Sequence, residues 1–185
     1  MLDFKIPFLL VFIIYSIYLI KTFKKKTLFK NFVEVTFVVY ITCLISITLF
    51  PIPIDKMTIY YAKETSYLQN NFIPLHFLNN FSMYPSLGNF ILLFPLGFYL
   101  PLINIKLKSY KELFIFAFFS SLSIELIQFL ISWLAGFTYR TTDIDDLILN
   151  TLGALFGYFI FKILSNVFEN LFQINIFNLL KKESN

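Results

Sequence analysis

Glu125 and Gln128 lie three residues apart in an otherwise apolar run, flanked by Ser121 and Ser132. Steps of 4, 3 and 4 put all four on one face of a helix. A carboxylate in that setting can hold a cation or a hydroxyl. It can also act as a general acid or base once burial raises its proton affinity. Asp146, Asn150, Gly153 and Gly157 repeat the same steps. This second face is polar at one end and small at the other, and Gly153-x-x-x-Gly157 permits close helix packing. Between the two runs, Gly136-Phe-Thr-Tyr-Arg-Thr-Thr-Asp-Ile-Asp-Asp146 carries Arg140, the only arginine, and the aspartates Asp143, Asp145 and Asp146. Arginine suits phosphate or carboxylate. The aspartates are of a type that holds Mg²⁺ or Ca²⁺, but their spacing matches no defined cation loop, and no metal is expected.

Each of these residues also has a plainer role. Thr142 with Asp145, or Asp143 with Asp146, can cap the following helix. Arg140 can be a structural partner of Glu125 or of an aspartate. Asn89 and Asn150 can join helices by hydrogen bonds. Glu125 is the hardest to explain structurally, because a carboxylate at mid-membrane depth is costly. Other chemistries are excluded. His76 and Cys43 are each the only residue of their kind, which leaves no disulfide framework, no cysteine- or histidine-rich metal site and no nucleophilic triad. There is no G-x-S-x-G, no P-loop and no glycine-rich dinucleotide fingerprint. No cofactor is expected, and nothing points to nucleic acid.

The elements that carry these residues follow from composition. Of 185 residues, 58% are hydrophobic and 14% charged, with a mean hydropathy of +0.74. Soluble proteins carry about 25% charged residues, so the chain is expected to be an all-α, polytopic membrane bundle. Five stretches approach the ~20 apolar residues of a membrane helix: Phe4–Ile20, Phe32–Phe50, Asn89–Ile105, Leu113–Ala135 and Leu147–Leu164. The third holds Pro95, which a membrane helix tolerates when neighbours satisfy the freed carbonyl. The first is read as a span and not a cleaved signal, since its basic cluster, Lys21 and Lys24–Lys26, follows the apolar run. With the N-terminus outside and the C-terminus inside, 11 Lys or Arg fall on inner segments and 4 on outer ones, as the positive-inside rule asks. Residues 51–86 form one outer loop. Residues 166–185, with Phe168, Leu171, Phe172, Ile176 and Leu179 at helical spacing and then Lys181 and Lys182, are expected to be an amphipathic, basic inner tail. The whole chain, 1–185, is read as one membrane domain. In this arrangement Asn89, Glu125, Gln128, Arg140, Asp143, Asp146 and Asn150 converge on a polar pocket that opens outward.

The chain resembles the VanZ family of small bacterial membrane proteins over about residues 30–165. The resemblance rests on Asn71-Phe-Ile-Pro74 and on Gly88-Asn-Phe-Ile-Leu-Leu-Phe-Pro-Leu-Gly97. It continues in Glu125-Leu-Ile-Gln128 and ends in Arg140-Thr-Thr-Asp-Ile-Asp-Asp-Leu-Ile-Leu-Asn-Thr-Leu-Gly153. It implies a bacterial plasma membrane and low-level resistance to glycopeptide antibiotics, chiefly teicoplanin, and it carries over the same seven polar residues. Three functions remain open. One is binding of a membrane lipid, a lipid-linked wall precursor or a lipoglycopeptide. The second is an intramembrane enzyme on lipid-linked substrates, with Glu125 as acid or base. The third is a small proton-linked transporter.

Overall fold

A computed structural model describes residues 2–65, 69–78, 83–104, 107 and 109–180. Eight α-helices occur among these residues. They are α1 (Lys5–Thr22), α2 (Leu28–Leu49), α3 (Lys56–Thr65), α4 (Met83–Leu92), α5 (Phe94–Ile103), α6 (Tyr110–Ala135), α7 (Ile144–Phe172) and α8 (Ile176–Leu179). No β-strand is present among the described residues, only two isolated bridges, Leu2 to Ile52 and Asn71 to Asp143. Five helical stretches are long and apolar enough to cross a membrane: Pro7–Lys25, Leu28–Leu49, Met83–Ile103, Tyr110–Ala135 and Ile144–Phe172. The chain is an all-α membrane bundle with five candidate spans, as its composition predicts.

The helix ends follow local chemistry. Thr27 caps α2, its hydroxyl accepting from Lys30 N at 3.1 Å. Ser109 and Glu112 form a reciprocal capping box at the start of α6, which ends in a left-handed Gly136, φ 72°. Asp143 caps α7 through Asp145 N at 2.8 Å. Of the two caps expected there, the Asp143 one forms, but its bond goes to Asp145 and not to Asp146. The Thr142 hydroxyl is buried without a partner.

The third span differs from the continuous helix expected. It starts at Met83 and is interrupted at Leu93, whose φ −100°, ψ 3° leaves helical geometry. Pro95 is the cause: it has no N–H, and its ring crowds the carbonyl four residues back. The proline instead takes a place in the first turn of α5, where the missing donor costs nothing. A neighbour satisfies the break, since the Tyr40 hydroxyl on α2 donates to the Leu92 carbonyl at 2.9 Å.

The two half-helices lie tightly on α7. A Cβ at Gly153 would sit 1.8 Å from the Phe90 carbonyl oxygen, and one at Gly157 would sit 2.0 Å from that of Phe94. A Cβ at Gly97 would meet the Ala154 oxygen at 1.8 Å. Only glycine permits backbones this close. Leu93, Leu96, Leu100, Leu113, Ala117, Ala154, Tyr158 and Phe161 form the core between α5, α6 and α7. By contrast, no residue of the α1 span from Pro7 to Lys25 is buried as a whole. It is tied down at its ends, by the Leu2–Ile52 bridge and by Lys26, which reaches Tyr18 and pairs with Glu34. At the other end of the chain, α7 runs to Phe172, beyond the expected Leu164. Residues 173–180 then fold back, so that Phe177 meets Phe161 and the Thr27 hydroxyl donates to the Leu179 carbonyl. Lys181 and Lys182 lie outside the described residues.

Candidate functional site: a charged cavity at the head of helix α7

The polar faces of α6 and α7 meet. On α6, Ser121, Glu125, Gln128 and Ser132 are all buried, and Leu113 and Ala117 continue the same face. On α7, Asn150 is 1% exposed and donates from Nδ2 to Ser121 Oγ at 3.0 Å. Polar side chains so placed avoid lipid and find partners within the protein. Beside them opens a cavity of about 540 Å³. Asn89 from α4, Glu125 and Gln128 from α6, Arg140 and Thr141 from the α6–α7 loop, and Asp146 and Asn150 from α7 line it. Six of the seven candidate residues therefore share one cavity.

Asp143, the seventh, stands behind it. Its backbone N–H donates to Glu125 Oε2 at 3.1 Å, and its Oδ1 accepts from Asn71 Nδ2 at 2.8 Å. Glu125 is 5% exposed, and no cation pairs with it among the described residues. Asp146 Oδ1 accepts from Asn89 Nδ2. Gln128 Nε2 donates to the Thr48 carbonyl at 3.0 Å. The amide nitrogens of Asn89, Gln128 and Asn150, expected to serve a ligand, are thus each bonded within the protein.

Arg140 does not pair with Glu125 or an aspartate, the structural role open to it in the sequence. Its guanidinium donates to the Phe50 carbonyl at 2.8 Å, and its Nε is buried without a partner. The loop that carries it is clamped at Ser132, whose hydroxyl donates to Arg140 O at 3.2 Å and accepts from Tyr139 N at 3.2 Å. The Tyr139 hydroxyl donates to the Leu49 and Pro51 carbonyls. Since the last residue of α2 and the two that follow it supply these acceptors, the end of α2 positions the arginine from 90 residues away.

A second segment holds the aspartates. Asn71 N donates to Thr142 O and Ile144 N to Asn71 O, each at 3.0 Å, which makes a short parallel bridge. Asp145, 3% exposed, accepts from Leu75 N at 2.6 Å and Phe77 N at 2.8 Å. It holds Leu75 in the left-handed region, φ 63°, where leucine is strained. Among the described residues no group of three or more His, Cys, Asp or Glu side chains could hold a metal. Asp145 and Asp143 are occupied in fixing the loop. The sequence reading missed Asn71, Asp145 as an anchor, and Tyr139. Asn71 and Tyr139 lie in segments without helical periodicity; the Asn71-Phe-Ile-Pro74 block of the resemblance marked Asn71, but no spacing gave it a role.

A family model described as VanZ/LLP1 matches residues 37–165. The chain belongs to the VanZ/LLP1 family. The VanZ/LLP1 match runs from within α2 through most of α7, so it takes in the whole cavity and the Asn71 segment, and it leaves out α1, the first nine residues of α2 and α8. No curated protein and no solved structure matches the chain.

Proposed function

We propose that this VanZ/LLP1 protein binds the polar headgroup of an amphiphile at the outer leaflet of a bacterial plasma membrane. The observation that supports this is the state of the cavity's polar atoms. Arg140 Nε and Asn150 Oδ1 are buried without partners, and both residues line the same cavity. A buried donor and acceptor left unpaired cost about 1–3 kcal/mol each, a cost that a bound ligand removes. The cavity lies among apolar helix faces, so the rest of the ligand can stay in lipid. A membrane lipid, a lipid-linked wall precursor or a lipoglycopeptide such as teicoplanin fits that description, and protection against teicoplanin follows if the last is sequestered.

The test is native mass spectrometry of the purified protein. Co-purifying amphiphile is expected on the wild type and lost from Arg140→Ala at equal expression. A ligand-free wild type that also takes up no added lipid would sink the proposal. One observation favours a second reading, an enzyme acting on such an amphiphile. Glu125 and Asp146 share the cavity with no cation paired to either among the described residues, which suits a general acid and base. Turnover of a lipid-linked substrate, lost in Glu125→Gln, would select it.

A further inference from the structure

The hydrogen-bond balance of the cavity specifies its ligand more narrowly, and this inference rests on the headgroup reading above. Each donor group around it has made one bond within the protein. Asn89 Nδ2 is on Asp146, Gln128 Nε2 on Thr48 O, Asn150 Nδ2 on Ser121 Oγ, and one Arg140 nitrogen on Phe50 O. On the acceptor side, two carboxylates and a buried amide oxygen stand open. Glu125 receives one N–H, from Asp143, and Asp146 receives one, from Asn89; among the described residues the other oxygen of each carboxylate has no partner. Asn150 Oδ1, on a side chain that is 1% exposed, has none either. Charge runs the same way, since two acids face one arginine across the cavity.

We infer that the ligand carries a primary ammonium, held by Glu125, Asp146 and Asn150 Oδ1, and an anionic group held by Arg140. An ammonium brings three donors and one positive charge, which suits the two carboxylates, the Asn150 carbonyl oxygen and the surplus acid. A quaternary ammonium brings the charge without donors. A neutral polyol brings donors without the charge. The ammonium can belong to an aminophospholipid or to a small soluble zwitterion of the same chemistry.

The experiment titrates the purified full chain in detergent with phosphatidylethanolamine, phosphatidylcholine and phosphatidylglycerol of identical acyl chains, read by native mass spectrometry. Charge-assisted hydrogen bonds are worth about 1.5–3 kcal/mol, so the ethanolamine lipid should bind about tenfold or more tighter than the choline lipid. In Glu125→Gln/Asp146→Asn, whose amides keep the shape and still accept from Asp143 N and Asn89, the preference should fall to within about twofold. Competition by free phosphoethanolamine would identify the soluble source of the ammonium, and its failure to compete the lipid source; both outcomes support the assignment. Equal binding of all three lipids, weakened by Arg140→Ala, would overturn the ammonium while leaving the headgroup reading intact. A preference that survives in the double variant would overturn its placement on the two acids. No binding of any probe would overturn both. The three-lipid comparison on the unaltered protein decides the matter even if the variant fails to fold.

Discussion

Arg140 shows what a residue's type reveals and what only its surroundings decide. Its chemistry, a fixed cation beside a membrane-embedded acid, is legible in the sequence, and an ion pair with Glu125 or an aspartate is a natural expectation. The structure gives it the carbonyl of Phe50, just past the end of α2, instead, because the Ser132 clamp fixes the loop backbone. The two arrangements predict different energetics. Removing one partner of a buried ion pair costs about 3–5 kcal/mol, whereas losing a single hydrogen bond costs about 1 kcal/mol. Arg140→Ala should therefore lower stability by about 1 kcal/mol, measured by reversible denaturation in mixed micelles, while ligand retention is lost. A loss several times larger would mean that a carboxylate is its partner after all. The same logic applies to Tyr40. Tyr40→Phe leaves the Leu92 carbonyl unpaired at the break and should cost about 1–3 kcal/mol, more than a surface Tyr→Phe change.

At the level of elements, the number of the spans and the two polar faces were readable, because hydropathy and 3.6-residue periodicity survive in the sequence, whereas the third span begins earlier and α7 ends later than expected. The interruption of the third span was only half readable. Pro95 announces a disturbance, but whether a helix bends or breaks depends on what satisfies the freed carbonyls, and the Tyr40 hydroxyl that does so sits on another helix. The Asn71 bridge was not readable at all, since it joins two irregular segments 72 residues apart. The glycines offer a direct test of packing. Gly153→Val and Gly157→Val should destabilise by about 1–3 kcal/mol or more, because a backbone carbonyl stands where the new Cβ must go. Gly88→Ala is the control. Nothing lies within 4 Å of an added Cβ there, and alanine in a helix gains up to about 1 kcal/mol over glycine. Denaturation midpoints of the three variants should separate accordingly.

For the whole molecule, orientation comes from the 11-to-4 distribution of Lys and Arg. In a Cys43→Ser background, a cysteine at Thr141 should react with an impermeant maleimide from outside intact cells, and one at Ser109 only after lysis. The reverse pattern would place the cavity at the inner leaflet and remove any direct encounter with an external drug. If the outward orientation holds, expression in a sensitive host should raise the inhibitory concentration of acyl-bearing teicoplanin more than that of vancomycin, which has no such chain. The difference should vanish in Asp146→Asn/Asn150→Leu at equal membrane abundance. Equal protection against both drugs would point to altered wall synthesis, and no protection would remove resistance as a role of this chain.

The burial of the α6 polar face against α7 also bears on how the chain enters the bilayer. During synthesis α6 emerges first, carrying Glu125 without the Asp143 N–H that later bonds it, and α7 follows after the short loop 136–143. An acidic residue near a helix centre raises the cost of lateral partitioning by about 2.5–3.5 kcal/mol. Asn150, which caps the Ser121 hydroxyl, arrives only with the second helix. The two helices are therefore expected to leave the translocation channel as a hairpin. A nascent chain halted after Gly136 should remain crosslinked to the channel, and one extended through Phe172 should be released into lipid.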